Sequence, residues 1–366
     1  MTSEISINNY SVVYFFNSNS YLILDPKTYP YYRNFKINYT KEDYLKALSL
    51  NEPQDVGDAF FEIFTELSKI SNLIDPYQSE NLNVTTCKSL TITYNNSLIS
   101  VNYDSEQTLN KVFSKFKHLE TQENKIGQVL NISQTSTGYQ LENSLGKSWQ
   151  WNHNNIHLFQ GKFTFELLNC IYKKTADKWL GTFHASTIGN GQEAVMLVGN
   201  SGSGKSTLSA LLMYAGYDLI ADDITPIHGQ NNHVYVLPAA ISVKEKSFEI
   251  IKPYEKDFEK LPSQYVNEVK GFQKFICPKP FINPHQSHYP CQKIVLVRYS
   301  SNPIKTALKD GDIKVILEEL ISESWLSHDE YHAQSFLNWL SSISFYELHY
   351  HHNDEAISVF NNLLPI

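Results

Sequence analysis

The chain has 366 residues, which is enough for one large domain or for two to three ordinary ones. Hydrophobic residues make up 42% of it and charged residues 19%, so it can bury a core and is not disordered as a whole. The formal net charge of −8 argues against a protein dominated by non-specific binding to nucleic acid or to an anionic membrane.

Sequence signals for membrane insertion or secretion are not evident. No stretch approaches the ~20 apolar residues of a transmembrane helix, and the first residues lack a basic segment followed by an apolar one. The four cysteines form no CxxC pair, which favours reduced thiols. We therefore expect a cytoplasmic protein with neither nucleic acid nor membrane as a partner, and a homo-oligomer stays open.

Residues 1–77 are predicted to form a small α+β domain. Its predicted elements are a hairpin over residues 10–24, a short helix that begins after Thr40, and a longer helix over Asp55–Leu73. The longer helix has Phe60, Phe64, Leu67 and Ile70 at helical spacing. A polar stretch over residues 75–81 reads as a linker. Because this region is separate, aromatic and without catalytic groups, our hypothesis is that it selects a peptide substrate.

The second predicted domain covers residues 84–366. Its first part is predicted to contain a hairpin around Asn95-Asn96, a short helix over residues 109–116, a β-rich region over 126–151 and a helix over Phe163–Lys174. No repeat and no catalytic motif occurs before residue 183.

A glycine-rich loop follows a short apolar run over Ala194–Val198. The loop residues are Gly199, Asn200, Ser201, Gly202, Ser203, Gly204, Lys205, Ser206 and Thr207, and they fit the GxxxxGK[ST] pattern called Walker A. Apolar residues at helical spacing come next, so strand, loop and helix succeed one another as the pattern requires. In such a loop the backbone N–H groups cradle phosphates, the lysine reaches the β/γ-phosphates, and the serine hydroxyl contacts Mg²⁺. We therefore expect a nucleotide with Mg²⁺ at this loop.

Two adjacent carboxylates, Asp222 and Asp223, follow the next apolar run, Leu219–Ala221. The distance along the chain from Lys205 leaves room for one helix and one short strand, which would return the chain to the edge of the sheet that carries the loop. Paired carboxylates at that edge suit two tasks, which are holding Mg²⁺ and accepting a proton from an attacking hydroxyl.

The run from Gly199 to Ser206, together with Gly216-Tyr217-Asp218-Leu219-Ile220-Ala221-Asp222-Asp223, resembles the core of HPr kinase/phosphorylase. It is also similar to the wider set of HPr-kinase-like Ser/Thr kinases, which includes those that phosphorylate lasso-peptide precursors. His184-Ala185-Ser186, one predicted strand upstream, is a further match. The resemblance implies an α/β fold, with a P-loop-containing domain of the HPr kinase C-terminal and phosphoenolpyruvate-carboxykinase-like type after the small α+β domain.

The resemblance also implies roles for single residues. Asp222 would be the general base, Asp223 would help Ser206 to hold Mg²⁺, and His184 would lie near the transferred phosphate. A hydrogen-bonded strand histidine is an equally good interpretation of His184. The implied activity is transfer of the γ-phosphate of ATP to a Ser or Thr hydroxyl of a protein or peptide.

One departure and two alternatives remain. The second signature of HPr kinase/phosphorylases, which contains glycine and arginine, is not evident after Asp223, so reverse phosphorylase activity is in doubt. Lys244 and Lys274 could supply charge in place of that arginine, although two surface lysines are the simpler interpretation. A small-molecule kinase on the same core, or a nucleotide-binding module that transfers no phosphate, would fit the same motifs.

Overall fold

The computed structural model describes residues 2–38, 40–48, 53–70, 75–79, 82, 84–123, 127–268 and 271–366. The chain begins with an antiparallel sheet in the order β1-β2-β3, followed by three helices. These elements are β1 (Thr2–Ile7), β2 (Tyr10–Phe15), β3 (Ser20–Leu24), α1 (Tyr29–Ile37), α2 (Lys41–Lys46) and α3 (Gln54–Leu67). The hairpin predicted over residues 10–24 is confirmed as β2 and β3, and β1 is an additional edge strand.

The helix predicted to start after Thr40 is also confirmed, because the Thr40 side chain accepts a hydrogen bond from the Asp43 N–H, at 3.1 Å. The next helix ends at Leu67 rather than at Leu73. Asn17 donates its side-chain amide to the Ser68 carbonyl, at 2.7 Å, so that carbonyl is already engaged outside the helix. Ile70 is correspondingly 84% exposed, and residues 71–73 lie outside the described part of the chain.

Strand β2 is buried on both of its faces. Val13 and Phe15 pack with Tyr32 and Phe64 in the core of the N-terminal helices. The alternate residues Val12 and Tyr14 point the other way and join a second core, which consists mainly of residues from Leu180 onward. The N-terminal sheet is therefore a layer between two cores, and a domain boundary at residue 77 stays a prediction.

The next part of the chain forms a seven-stranded sheet in the order β4-β10-β9-β8-β6-β5-β7. Its elements are β4 (Gln78–Ser79), β5 (Lys88–Tyr94), β6 (Ser97–Tyr103), α4 (Glu106–Val112), β7 (Glu120–Thr121), β8 (Gln128–Gln134), β9 (Gly138–Asn143), β10 (Ser148–Asn152) and α5 (Ile156–Tyr172). The predicted hairpin is confirmed, with Asn95 and Asn96 both at positive φ in its turn. Helix α5 starts before the predicted Phe163, and its first turns are anchored by Phe159, which stacks on Tyr139.

The remaining elements build three further sheets. They are β11 (Trp179–Phe183), β12 (Ser186–Gly189), β13 (Ala194–Val198), α6 (Lys205–Tyr214), β14 (Asp218–Ala221), β15 (Thr225–His228), β16 (Val234–Tyr235), β17 (Ile241–Lys244), α7 (Phe248–Ile251), β18 (Gln264–Asn267), β19 (Gly271–Ile276), β20 (His288–Tyr289), β21 (Cys291–Tyr299), β22 (Ala307–Asp310), α8 (Ile313–Ser322), β23 (Trp325–Leu326), α9 (Glu330–Ser341), β24 (Ser344–Tyr350) and α10 (Asn353–Leu363). The architecture is mixed α/β. Among the described residues, no helix combines the length and the apolar character needed to cross a bilayer.

The six-stranded sheet positions the glycine-rich loop. Its order is β14-β12-β13-β21-β24-β22, and β13, β21 and β24 run parallel. Strand β12 is antiparallel to both β13 and β14, so those two strands point the same way and end at one edge. The glycine-rich loop leaves the end of β13 and the two aspartates leave the end of β14, as the spacing predicts. The other two sheets have the orders β20-β16-β15-β11-β23 and β17-β19-β18.

Candidate functional site

The loop between β13 and α6 has a backbone that only glycine permits at its end. Gly204 has a φ of 100°, and a Cβ there would lie 2.9 Å from the Tyr350 hydroxyl and 3.1 Å from the Tyr299 Cβ. Both the backbone angle and the space exclude a side chain at this position. Strands β21 and β24 thus support the loop from one side, and α6 starts directly behind it.

Lys205 is the first residue of α6 and is only 7% exposed. Its ammonium group donates to the Gly199 carbonyl across the loop. Burial lowers the pKa of Lys205, and the carboxylates of Asp223 and Asp222 oppose that shift. A phosphate in the loop would give this ammonium a charged acceptor in place of a neutral carbonyl, which strengthens the hydrogen bond.

Asp222 follows β14, is buried with 2% of its surface exposed, and contacts both helix α6 and strand β12. One carboxylate oxygen accepts from the Ser206 hydroxyl at 3.0 Å and from the Ser186 hydroxyl at 2.6 Å. Ser186 reaches it because β12 lies between β13 and β14. Burial raises the pKa of Asp222, and the neighbouring Asp223 charge raises it further.

Asp223 has different surroundings. Its φ of 73° turns the chain out of the strand direction, and its side chain is 43% exposed. One carboxylate oxygen accepts from Lys115 at 2.7 Å, and the other lies 3.4 Å from Nδ1 of His184. The Lys115 charge holds the pKa of Asp223 well below its usual range. Burial acts to lower the pKa of Lys115, but the two carboxylates outweigh it and raise that pKa.

The contact made by Ser206 differs from the one that the resemblance implies. The structure places Ser206 against Asp222 rather than against Asp223, because the left-handed backbone at residue 223 makes the two side chains diverge. The donors beside the loop are a serine hydroxyl and a carboxylate, which are hard oxygen ligands suited to Mg²⁺ when it keeps several waters. Among the described residues, no group of three or more His, Cys, Asp or Glu side chains forms a metal site by itself.

A cavity opens in front of the loop. His184 lies on its wall, and the Nε2 of His184 is 3.8 Å from a carboxylate oxygen of Glu323. Its lining residues are His184, Gly199, Asn200, Ser201, Val315, Glu318, Glu319, Ser322 and Glu323. Helix α8 therefore faces the glycine-rich loop across this space, and His184 lies between the cavity and Asp223.

The structure also defines the contacts of three further lysines, Lys115, Lys244 and Lys274. Lys115, which no sequence motif indicates, lies in the segment after α4 and forms the ion pair with Asp223. Its only local signal is its position between the buried Phe113 and Phe116. Lys244 donates to the Ser201 hydroxyl at 3.2 Å, so it does contact the loop. Lys274 is a buried lysine rather than a surface one, and it donates to the Phe258 carbonyl over that aromatic ring.

Comparisons with known proteins add little to this geometry. No protein-family model matches the chain, and no curated protein matches it significantly. One solved structure that aligns with it is described as the Hpr(Ser) kinase/phosphatase from Coxiella burnetii. The alignment covers 50% of this chain and 95% of that chain, at 11% identity and a TM-score of 0.22. A TM-score of 0.22 does not establish a shared fold.

Proposed function

We propose that this protein is a kinase that transfers the γ-phosphate of ATP to a Ser or Thr hydroxyl of a protein or peptide. The observation that carries the proposal is the contact between Ser206 and Asp222, which joins the phosphate loop to the acidic pair at one edge of the sheet. A nucleotide in the loop would have its terminal phosphate within reach of both carboxylates. In P-loop NTPases generally a loop serine and a strand-end aspartate hold Mg²⁺, so Asp223 is the additional carboxylate that a transfer to a hydroxyl would use.

The donor side consists of the loop and Lys205. The N–H groups at the start of α6 and the Lys205 ammonium would bind the phosphate oxygens and stabilise the charge that develops on the transferred group. Mg²⁺ bound with the nucleotide would neutralise charge on the β- and γ-phosphates. Ser206 and Asp222 would hold that ion, since they are the paired oxygen donors beside the loop.

The acceptor side consists of Asp223, His184 and Lys115. The acceptor oxygen would form a bond to the γ-phosphorus, while the bond from that phosphorus to the bridging oxygen of ADP breaks. The hydroxyl proton would pass to the carboxylate of Asp223, which is the more exposed of the two aspartates. Because the pKa of Asp223 is lowered, its carboxylate accepts this proton only once the forming bond to the γ-phosphorus has made the acceptor hydroxyl more acidic. Asp223 is therefore the proposed base, in place of Asp222.

The proposal is tested with γ-labelled ATP, Ser- and Thr-containing peptides and a cell lysate. Asp223→Asn should bind ATP like the wild type and lose ~10²–10⁴-fold of the transfer rate, as expected for a lost general base. Asp222→Asn should lower the transfer rate and, unlike Asp223→Asn, should also weaken the dependence of ATP binding on Mg²⁺. Asp257→Asn, at an exposed position outside the contacts of the site, is the matched control and should change neither quantity.

Each outcome has a distinct meaning. Label in a peptide or protein supports the proposal, whereas label in a metabolite indicates a small-molecule kinase. Tight ATP binding without transfer to any acceptor indicates a nucleotide-binding module. If Asp223→Asn keeps the full transfer rate, the assignment of the base is wrong.

A further inference from the structure

The phosphate loop has chemically different neighbours on its two sides. The strands on one side, β12 and β14, bring Ser186 and the two aspartates to the loop. The strands on the other side, β21 and β24, end in aromatic residues instead. If the terminal phosphate of a nucleotide faces the aspartates, its ribose and base extend toward the ends of β21 and β24.

Tyr299 is the last residue of β21 and lies against the loop. Its N–H donates to the Ser203 carbonyl at 3.1 Å, and its Cβ is in the tight contact that excludes a side chain from Gly204. The Tyr299 ring meets the buried Tyr350 ring at an angle of 62°, with 5.4 Å between centroids. Although it is fixed in this way, Tyr299 is 41% exposed. A rigid aromatic side chain is thus presented to solvent beside the phosphate loop.

His351 continues this aromatic surface. Its ring is nearly parallel to that of Tyr299, with an angle of 14° and 6.4 Å between centroids. Nδ1 of His351 donates to the Ser300 carbonyl at 2.8 Å, because a carbonyl can only accept. That hydrogen bond fixes the orientation of the ring. Two flat, partly exposed side chains therefore share one orientation at the end of the sheet.

We propose that Tyr299 and His351 form the surface on which the base of the bound nucleotide stacks. This inference rests on the proposed function, since it takes the direction of the nucleotide from the position of the aspartates. Because the position of Tyr299 is already fixed, its ring loses little conformational freedom when a base stacks on it. Stacking also requires no specific hydrogen bonds to the base. The ligand class is a nucleoside triphosphate, with its phosphates on the loop and its base on Tyr299.

The test compares ATP with inorganic tripolyphosphate, which has the phosphates and no base. Binding of each to the full chain is measured by calorimetry in the presence of Mg²⁺. Tyr299→Ala should weaken ATP binding ~5- to 150-fold, the range for loss of one base–aromatic contact, and should leave tripolyphosphate within about twofold. Tyr299→Phe keeps the ring and should bind both ligands like the wild type. Tyr299→Leu keeps apolar bulk over Gly204 and serves if the alanine variant does not fold.

The outcomes separate this inference from the proposed function. A selective loss of ATP affinity supports the stacking surface. Unchanged ATP affinity in Tyr299→Ala or Tyr299→Leu overturns it. An equal loss for both ligands also overturns it, because the ring would then act only by supporting the loop. If the wild type binds tripolyphosphate and ATP equally well, no base site exists, whereas failure to bind either ligand removes the proposed function itself.

Discussion

The ion pair between Lys115 and Asp223 provides the sharpest test of how the site is assembled. Lys115 comes from the part of the chain that builds the seven-stranded sheet, and Asp223 follows β14 of the six-stranded sheet. Lys115→Met removes the charge and keeps an unbranched apolar side chain of comparable length. We expect this substitution to lower the free energy of unfolding and to alter the proton affinity of Asp223.

The expected size follows from the distance and the exposure of the pair. Two unit charges 2.7 Å apart interact by about 6 kcal/mol at an effective dielectric constant of about 20. Desolvation and screening remove most of this, and measured pairs range from about 0–1 kcal/mol at the surface to about 3–5 kcal/mol when a buried partner is left alone. The two side chains are 28% and 43% exposed. We therefore expect Lys115→Met to cost about 1–3 kcal/mol at neutral pH.

The pH dependence of that loss has a defined sign. The pKa of Asp223 is lowered in the folded state, so its contribution is complete above the unfolded value of about 4 and is lost as the pH falls. The pKa of Lys115 is raised, so its contribution is complete below the unfolded value of about 10.4 and is lost as the pH rises. The difference between wild type and Lys115→Met should be constant from about pH 5 to 10 and shrink outside that window.

Urea unfolding at several pH values measures this difference, with Lys117→Met as the matched control. Lys117 lies two residues after Lys115 and is exposed. Its substitution should change the free energy of unfolding by less than about 0.5 kcal/mol. In the same Lys115→Met variant the acidic limb of the pH–rate profile should move to higher pH, because Asp223 becomes easier to protonate. Equal stability of Lys115→Met and wild type at about pH 7, or equal losses in both variants, would refute the reasoning.

Three further substitutions test the glycine-rich loop and the residues that support it. Lys205→Ala should weaken ATP binding by ~10- to 150-fold in calorimetry, the size of one charged hydrogen bond. Gly204→Ala places a Cβ 2.9 Å from the Tyr350 hydroxyl at a positive φ, so circular dichroism should show lower thermal stability together with weaker ATP binding. Ser186→Ala removes one donor from buried Asp222 and should cost about 1–3 kcal/mol in urea unfolding, whereas a neutral result would show that this hydrogen bond is dispensable.

The loop and the return of the chain to its edge were predictable because they depend on consecutive residues. The pattern from Gly199 to Ser206 specifies its own backbone, and one helix with one short strand must bring Asp222 back to the same edge. The different surroundings of the two aspartates were not predictable in this way. They depend on the positive φ at Asp223 and on Lys115, which is 108 residues away along the chain. Hydrophobic periodicity predicts local helices and strands and does not predict a contact between residues this far apart in the sequence.

The position of the N-terminal sheet limits how its hypothetical role in peptide selection can be tested. Val12 and Tyr14 are fully buried in the core that also contains Phe336 and Leu320. Leu320 belongs to α8, which lines the cavity in front of the glycine-rich loop. Deleting residues 1–77 would expose this core and disturb α8, at about 1.5–3 kcal/mol for each large apolar side chain uncovered. Lower peptide affinity in such a truncated protein would therefore reflect a damaged cavity as readily as a lost recognition surface. A decisive test needs substitutions at exposed positions of the N-terminal helices, with the β-sheet left intact.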